Sequence, residues 1–170
     1  RRYAPDIVKH MIYATAKAGV GPMASVAGAI SEYTAKTLLH YTDNIIIENG
    51  GDIYIKSDKD RHVLINAGSS SFSNKIALLI PGSSGPVGIC TSSGTVGHAL
   101  SFGKADAAVL VSKDVVLADA VATAVGNLVK TTDDINKGID FAMSINGIDG
   151  VLIILGDKIG ICGNIQLAGP

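Results

Sequence analysis

The chain has 170 residues, enough for one domain that buries roughly 70% of its unfolded surface. It is 47% hydrophobic and 17% charged, with a formal net charge of −1, no Trp and 5% aromatics. No basic stripe with interleaved aromatics is present, which argues against a nucleic-acid binder, and no apolar run reaches the ~18 residues that would span a bilayer.

The elements follow in order. Pro5, then Ile7, Val8, Met11, Ile12 and Ala16 at helical spacing, and Gly19 as a stop predict a helix over 5–18. A second helix is predicted over 22–40, its first half built almost wholly of small residues. Strands are expected at 44–48 and 52–56 around Asn49-Gly50-Gly51, a strong hairpin signal. Further strands read at 62–66 and 75–80, the latter stopping at Pro81-Gly82, and a short one near Ile89-Cys90. Residues 68–74 and 91–102 are loops rich in Gly and hydroxyls. A buried strand is predicted over 106–112 and an Ala/Val helix over 114–129, started by Asp114. Thr132-Asp133-Asp134 caps a last helix to about Ser144, and strands at 149–155 and 159–162 flank the turn 156–158. This order suits an α+β fold, a single domain over 1–170 with a mostly antiparallel sheet packed against helices. Cys90 and Cys162 stand far apart without a CxxC and read as two buried thiols rather than a disulfide. The absence of a signal peptide points to the cytoplasm. The first residues are Arg-Arg-Tyr rather than Met, compatible with an N-terminal segment before Arg1. High apolar content leaves a homodimer open.

Four motifs carry candidate chemistry. Gly19-Val20-Gly21-Pro22-Met23-Ala24 fits G-x-G-x-x-G/A in form, yet follows a helix where a dinucleotide fingerprint needs a strand, so it reads as a helix-to-helix turn. The Gly50, Gly51 and Asp52 turn is either a plain hairpin or a ligand-facing backbone. In the cluster Thr91, Ser92, Ser93, Gly94, Thr95, Val96, Gly97, His98, backbone N–H groups and hydroxyls could cradle phosphate, with His98 as donor or proton carrier. A nucleophilic Cys90 or Ser92 paired with His98 would make a hydrolase instead. Asp119 and Thr123, at i and i+4 of a helix, place a carboxylate and a hydroxyl on one face, a pair suited to a hard cation such as Mg²⁺. A capping Asp and a back-bonded Thr would give the same spacing.

Taken in order, three of these segments resemble the ApbE-like superfamily: Asn49-Gly50-Gly51-Asp52, Thr91-Ser92-Ser93-Gly94, and Ala118-Asp119-Ala120-Val121-Ala122-Thr123-Ala124. Gly19 through Ala24 and Thr91 through His98 are similar to a shorter branch of that superfamily. The resemblance implies a T-fold-related α+β domain that binds FAD or FMN with Mg²⁺. It also implies transfer of FMN from FAD to a protein hydroxyl, as the characterised transferases do. It assigns Asp119 and Thr123 to the metal and Gly50, Gly51, Asp52 and residues 91–95 to the cofactor. His98 and Asp119 would be the catalytic groups. Two departures stand out: Ala27 replaces the lysine of the transferases' Ala-Lys-Gly-Tyr segment, and no Asp-Pro follows His98. A non-catalytic flavin- or nucleotide-binding module is the alternative.

Overall fold

The computed structural model describes residues 3–96 and 102–170. In chain order the elements are α1 (Asp6–Ala18), a 3-10 turn (Pro22–Ser25), α2 (Val26–Leu38), β1 (Ile45–Asn49), β2 (Asp52–Lys56), β3 (Arg61–Leu64) and β4 (Ala77–Ile80). They continue with β5 (Val87–Ser92), β6 (Ala107–Ser112), α3 (Val115–Leu128), α4 (Ile135–Ser144), β7 (Ile148–Leu155), β8 (Lys158–Gly163) and β9 (Leu167–Ala168). A six-stranded sheet runs β1-β2-β5-β6-β7-β8 and a three-stranded sheet β3-β4-β9. Every pairing in both is antiparallel.

The large sheet is the middle layer. Successive side chains of a strand point to opposite faces, and β6 and β7 are apolar on both. Ala108, Leu110, Val151 and Ile153 face the helices. Ala107, Val109, Leu152 and Ile154 face the small sheet, where Ile65, Leu78 and Ile80 meet them. The apolar composition is thus accounted for by strands covered on two sides. On the helical side α3 is buried for most of its length, from Val115 to Ala122, and α1, α2 and α4 pack around it. A helix that is apolar nearly all round belongs at such a centre.

Several expectations shift. The helix expected over 22–40 breaks at Ser25 (φ −129°, ψ 19°), leaving a 3-10 turn before α2. Thr132-Asp133-Asp134 forms a 3-10 turn, itself capped by Thr131 with Asp134, and α4 follows it without a side-chain cap of its own. Beta5 is a full six-residue strand rather than a short one near Ile89-Cys90. The two-residue β9 was not anticipated. Cys90 is buried, as expected, but Cys162 is exposed on the edge strand β8, and both are free thiols. Among the described residues no helix is long and apolar enough to cross a membrane.

The first turn of α3 is held by carboxylates from two elements. A helix start leaves its leading N–H groups without intrahelical acceptors. Glu32 of α2 accepts from Val115 N (2.7 Å) and Val116 N (3.4 Å), and Asp114 accepts from Leu117 N (2.9 Å). Lys36 pairs with Glu32, and His10 Nε2 lies 3.1 Å from Asp114 Oδ2. His10, Glu32 and Asp114 bring three ligand-type atoms within 4.8 Å, but the carboxylates are already engaged by the helix start. The hydrogen bond to Asp114 raises the His10 pKa above its ordinary value, and the same bond helps hold Asp114 below its own despite burial.

A group whose pKa is raised on folding stabilises fully below its unfolded pKa, about 6.5 for His, and loses that contribution as pH climbs through the folded value. The stability gap between the parent and His10→Gln should therefore be largest near pH 5.5 and close by pH 8.5 in urea unfolding. Glu32→Ala should cost about 2 kcal/mol or more at any of these pH values, because buried N–H groups lose their acceptor.

Candidate binding site

A cavity of about 1020 Å³ opens where the 3-10 turn, the start of α2, the β1–β2 turn, β3, the end of β5 and the middle of α3 meet. Its floor is set by the break at Ser25. In an unbroken helix Gly28 N–H would donate to the Ala24 carbonyl four residues back. Here Gly28 N–H donates to Asp119 Oδ2 at 2.8 Å, and the Ala24 carbonyl accepts from Thr123 Oγ1 at 3.2 Å. Both side chains come from one face of α3, as their i, i+4 spacing requires. Asp119 thus serves as an acceptor at the N-terminus of α2, where the helix dipole favours a negative charge. Thr123 bonds across to Ala24 rather than back along its own helix. Close approach depends on Gly28: a Cβ there would lie 2.8 Å from both Asp119 Cβ and the Val115 carbonyl.

Asp52, first residue of β2, brings a second carboxylate to the same wall. Its strand partner is Cys90, and its carbonyl accepts from Ser31 Oγ at 2.9 Å. Asp52 is 6% exposed and Asp119 7%. Asp52 Oδ1 is fully buried without a hydrogen-bond partner. Burial, followed by the charge of Asp119, pushes the Asp52 carboxyl far above the usual carboxylate range. Burial pushes Asp119 up as well, opposed by the Gly28 N–H. Among the described residues lining the cavity these are the sole charged side chains, and none of those residues is Lys, Arg or His.

The hydroxyl-rich loop does less than its composition promised. Thr91, Ser92 and Ser93 line the cavity, whereas Gly94 and Thr95 do not. Gly94 N donates to the Ala105 carbonyl (2.8 Å), and Thr95 N and Val96 N both donate to Ser93 Oγ (3.1 and 2.9 Å). The Thr95 hydroxyl is turned to Asp106 at 2.9 Å. Three consecutive N–H groups of the expected phosphate cradle are therefore satisfied within the protein. Gly50 and Gly51 line the cavity with φ +65° and +100°, a backbone that only glycine adopts readily. Gly51 N is engaged by Glu48 Oε1 at 2.8 Å. His98 lies outside the described residues. Cys90 is completely buried, its thiol directed at the Val115 carbonyl (3.4 Å) and its pKa pushed up by burial, so it is no nucleophile.

The opposite wall is apolar: Met23, Val63, Leu64, Ile65, Val96 and Phe102 line it. Met23 and Phe102 are each 71% exposed, which places apolar surface at the cavity mouth. Neither the two residues nor the wall from β3 was legible from sequence, because β3 and the Phe102 segment reach the cavity only through tertiary packing.

The antiparallel α+β domain that carries this cavity has a known architecture. The structure aligns with the apo crystal structure of the Pseudomonas stutzeri flavinyl transferase ApbE at a TM-score of 0.58 and 15% identity, over 85% of this chain and 47% of that one. The fold is therefore of the ApbE type. The family model described as "AbpE bacteria" matches residues 1–159, and the chain belongs to that family. It is 49% identical over 167 residues to a UPF0280 protein of Methanococcus aeolicus, covering 95% of this chain and 67% of that protein. A UPF0280 protein of Methanocaldococcus jannaschii is 43% identical over 95% of this chain and 68% of its own length. The chain thus spans about two thirds of these relatives and about half of the transferase.

Gly28→Ala should separate α2 from α3. Its gain of about 1 kcal/mol in helix propensity is outweighed by overpacking, for a net loss of about 1–2 kcal/mol in urea unfolding. A variant as stable as the parent would mean that the two helices do not rest on this contact.

Proposed function

We propose that the cavity binds a flavin-type nucleotide together with Mg²⁺. The observation that carries this reading is the meeting of Asp119, Thr123 and the Ala24 carbonyl at the cavity floor, with Thr123 Oγ1 on the Ala24 oxygen. A carboxylate, a hydroxyl and a backbone carbonyl form an all-oxygen donor set of the kind Mg²⁺ takes, completed by waters and ligand phosphates. Asp52, which lines the same cavity and has a carboxyl oxygen without a partner, also supports a positive charge here. Bound there, the cation would neutralise pyrophosphate charge and polarise a phosphoryl oxygen.

The remaining roles fall to the chain's own residues. Thr91 and Ser92 offer hydroxyls to phosphate or ribose oxygens. Gly50 and Gly51 let the ligand approach the backbone closely, and the Met23–Phe102 side of the cavity offers apolar surface to a planar ring system. Similarity to the transferase fold supports flavin as the ligand class.

A second reading, binding without transfer, is favoured by one observation: Ala27, which lines the cavity, stands where the transferases carry a lysine. FAD incubated with the protein and Mg²⁺ separates the two, since transfer releases AMP and binding alone does not.

Thermal melting with FAD should show stabilisation with Mg²⁺ and little without it. Ligand at 100 times its Kd adds about 2.7 kcal/mol. Asp119→Asn keeps an oxygen for Gly28 N–H but removes the charge, so it should stay folded and lose the Mg²⁺-dependent shift. An FAD shift of equal size in EDTA would overturn the metal-dependent reading.

A further inference from the structure

Asp52 is the residue in the cavity whose chemistry the reading above leaves unfinished. Its carboxylate is held in place from several sides. Beta2 begins there, Cys90 is its cross-strand partner, and Ser31 of α2 bonds its carbonyl. Its Oδ1 is the sole buried side-chain polar atom among the described residues without a hydrogen bond. A buried carboxylate oxygen left unpaired costs free energy on the scale of a lost charged hydrogen bond. A fold that keeps one, on a residue 6% exposed that itself lines a cavity, is expected to have a use for it.

Three features narrow that use. Asp52 and Asp119 are both buried acidic side chains on the wall of one cavity, so the floor gathers two carboxyl groups whose ionised forms a cation would favour. No Lys, Arg or His is present among the described wall residues to balance it. The N–H groups of residues 94–96, which could have received an anion, are already bonded within the protein. An anionic ligand entering alone would meet two carboxylates and no compensating donor cluster.

We propose that Asp52 Oδ1 is a ligand of the divalent cation in this cavity, completing with Asp119 a two-carboxylate site that the cation fills before any nucleotide arrives. A phosphate-bearing ligand then reaches the cavity by joining a metal already in place, or as its own metal complex. The proposal rests on the Mg²⁺ part of the functional reading but does not depend on the ligand being a flavin.

Mn²⁺, a paramagnetic stand-in for Mg²⁺, tests it with the protein alone. The signal of free Mn²⁺ is followed by electron paramagnetic resonance as protein is added, without nucleotide. The parent should take up one Mn²⁺ per chain. Asp52→Asn and Asp52→Ser should each weaken uptake by roughly tenfold or more, because ligand charge sets affinity in hard-cation sites, while circular dichroism confirms parental folding. Excess Mg²⁺ should displace the bound Mn²⁺. Parental Mn²⁺ affinity in a folded Asp52 variant overturns the proposal, as does a parent that takes up no Mn²⁺ without nucleotide. Quenching of FAD fluorescence in saturating Mn²⁺ is read in parallel. If FAD binds the parent but Asp52→Asn keeps full Mn²⁺ affinity, the role of Asp52 falls and the flavin reading stands. If Mn²⁺ binds through Asp52 and FAD does not bind, the cation site stands and the flavin reading falls.

Discussion

The hydrogen bond from Gly28 N–H to Asp119 organises much of what surrounds it. A helix that starts at Val26 instead of Pro22 has a new set of unsatisfied N–H groups, and Gly28 carries one of them. Asp119 meets it from the middle of a buried helix. The arrangement is reciprocal, since Glu32, one turn further along α2, meets the first N–H groups of α3. Each helix thus supplies the carboxylate that caps the other. Two buried acids, each costly alone, become the contacts that fix the pair in register. The close approach this demands is possible because residue 28 has no side chain.

The same break has a chemical consequence. By ending the ladder at Ser25, it leaves the Ala24 carbonyl facing Thr123 instead of Gly28. One local departure from helix geometry therefore delivers a carbonyl, a hydroxyl and a carboxylate to one place. Strain is not needed to explain it. Pro22 begins the 3-10 turn, and Ser25 closes it by donating to the Pro22 carbonyl, so the short-range chemistry of the segment itself favours the break.

Much of this was legible in the sequence and some was not, for physical reasons. The apolar character of residues 115–122, interrupted only by Asp119, and the acidic residue ahead of them marked α3 and its cap. The Asn49-Gly50-Gly51 turn marked its hairpin. The i, i+4 pair at Asp119 and Thr123 was visible because helix spacing is a local property. Glu32 was hidden, since with Lys36 at i+4 it reads as an ordinary solvent-facing ion pair. The loop at 91–96 misled in the opposite direction. Its composition promises free N–H donors, but the Ala105 carbonyl and the Ser93 hydroxyl that use them up are found only in three dimensions. Beta9 has two residues, too few for any periodicity to register.

The wall chemistry bears on what the cavity can catalyse. Transfer chemistry on a pyrophosphate needs positive charge at the developing anion, supplied by basic side chains, oriented N–H groups or a metal. Ala27 brings no charge to the wall, and the loop N–H groups are occupied. What remains on the described wall is oxygen: two carboxylates, hydroxyls and a carbonyl. Such a surface suits cations, and anions only through them. With a metal bound there as proposed, the electrostatic work of a protein cation would fall to that metal, and the acidic floor rather than the glycine- and serine-rich loop would set what binds.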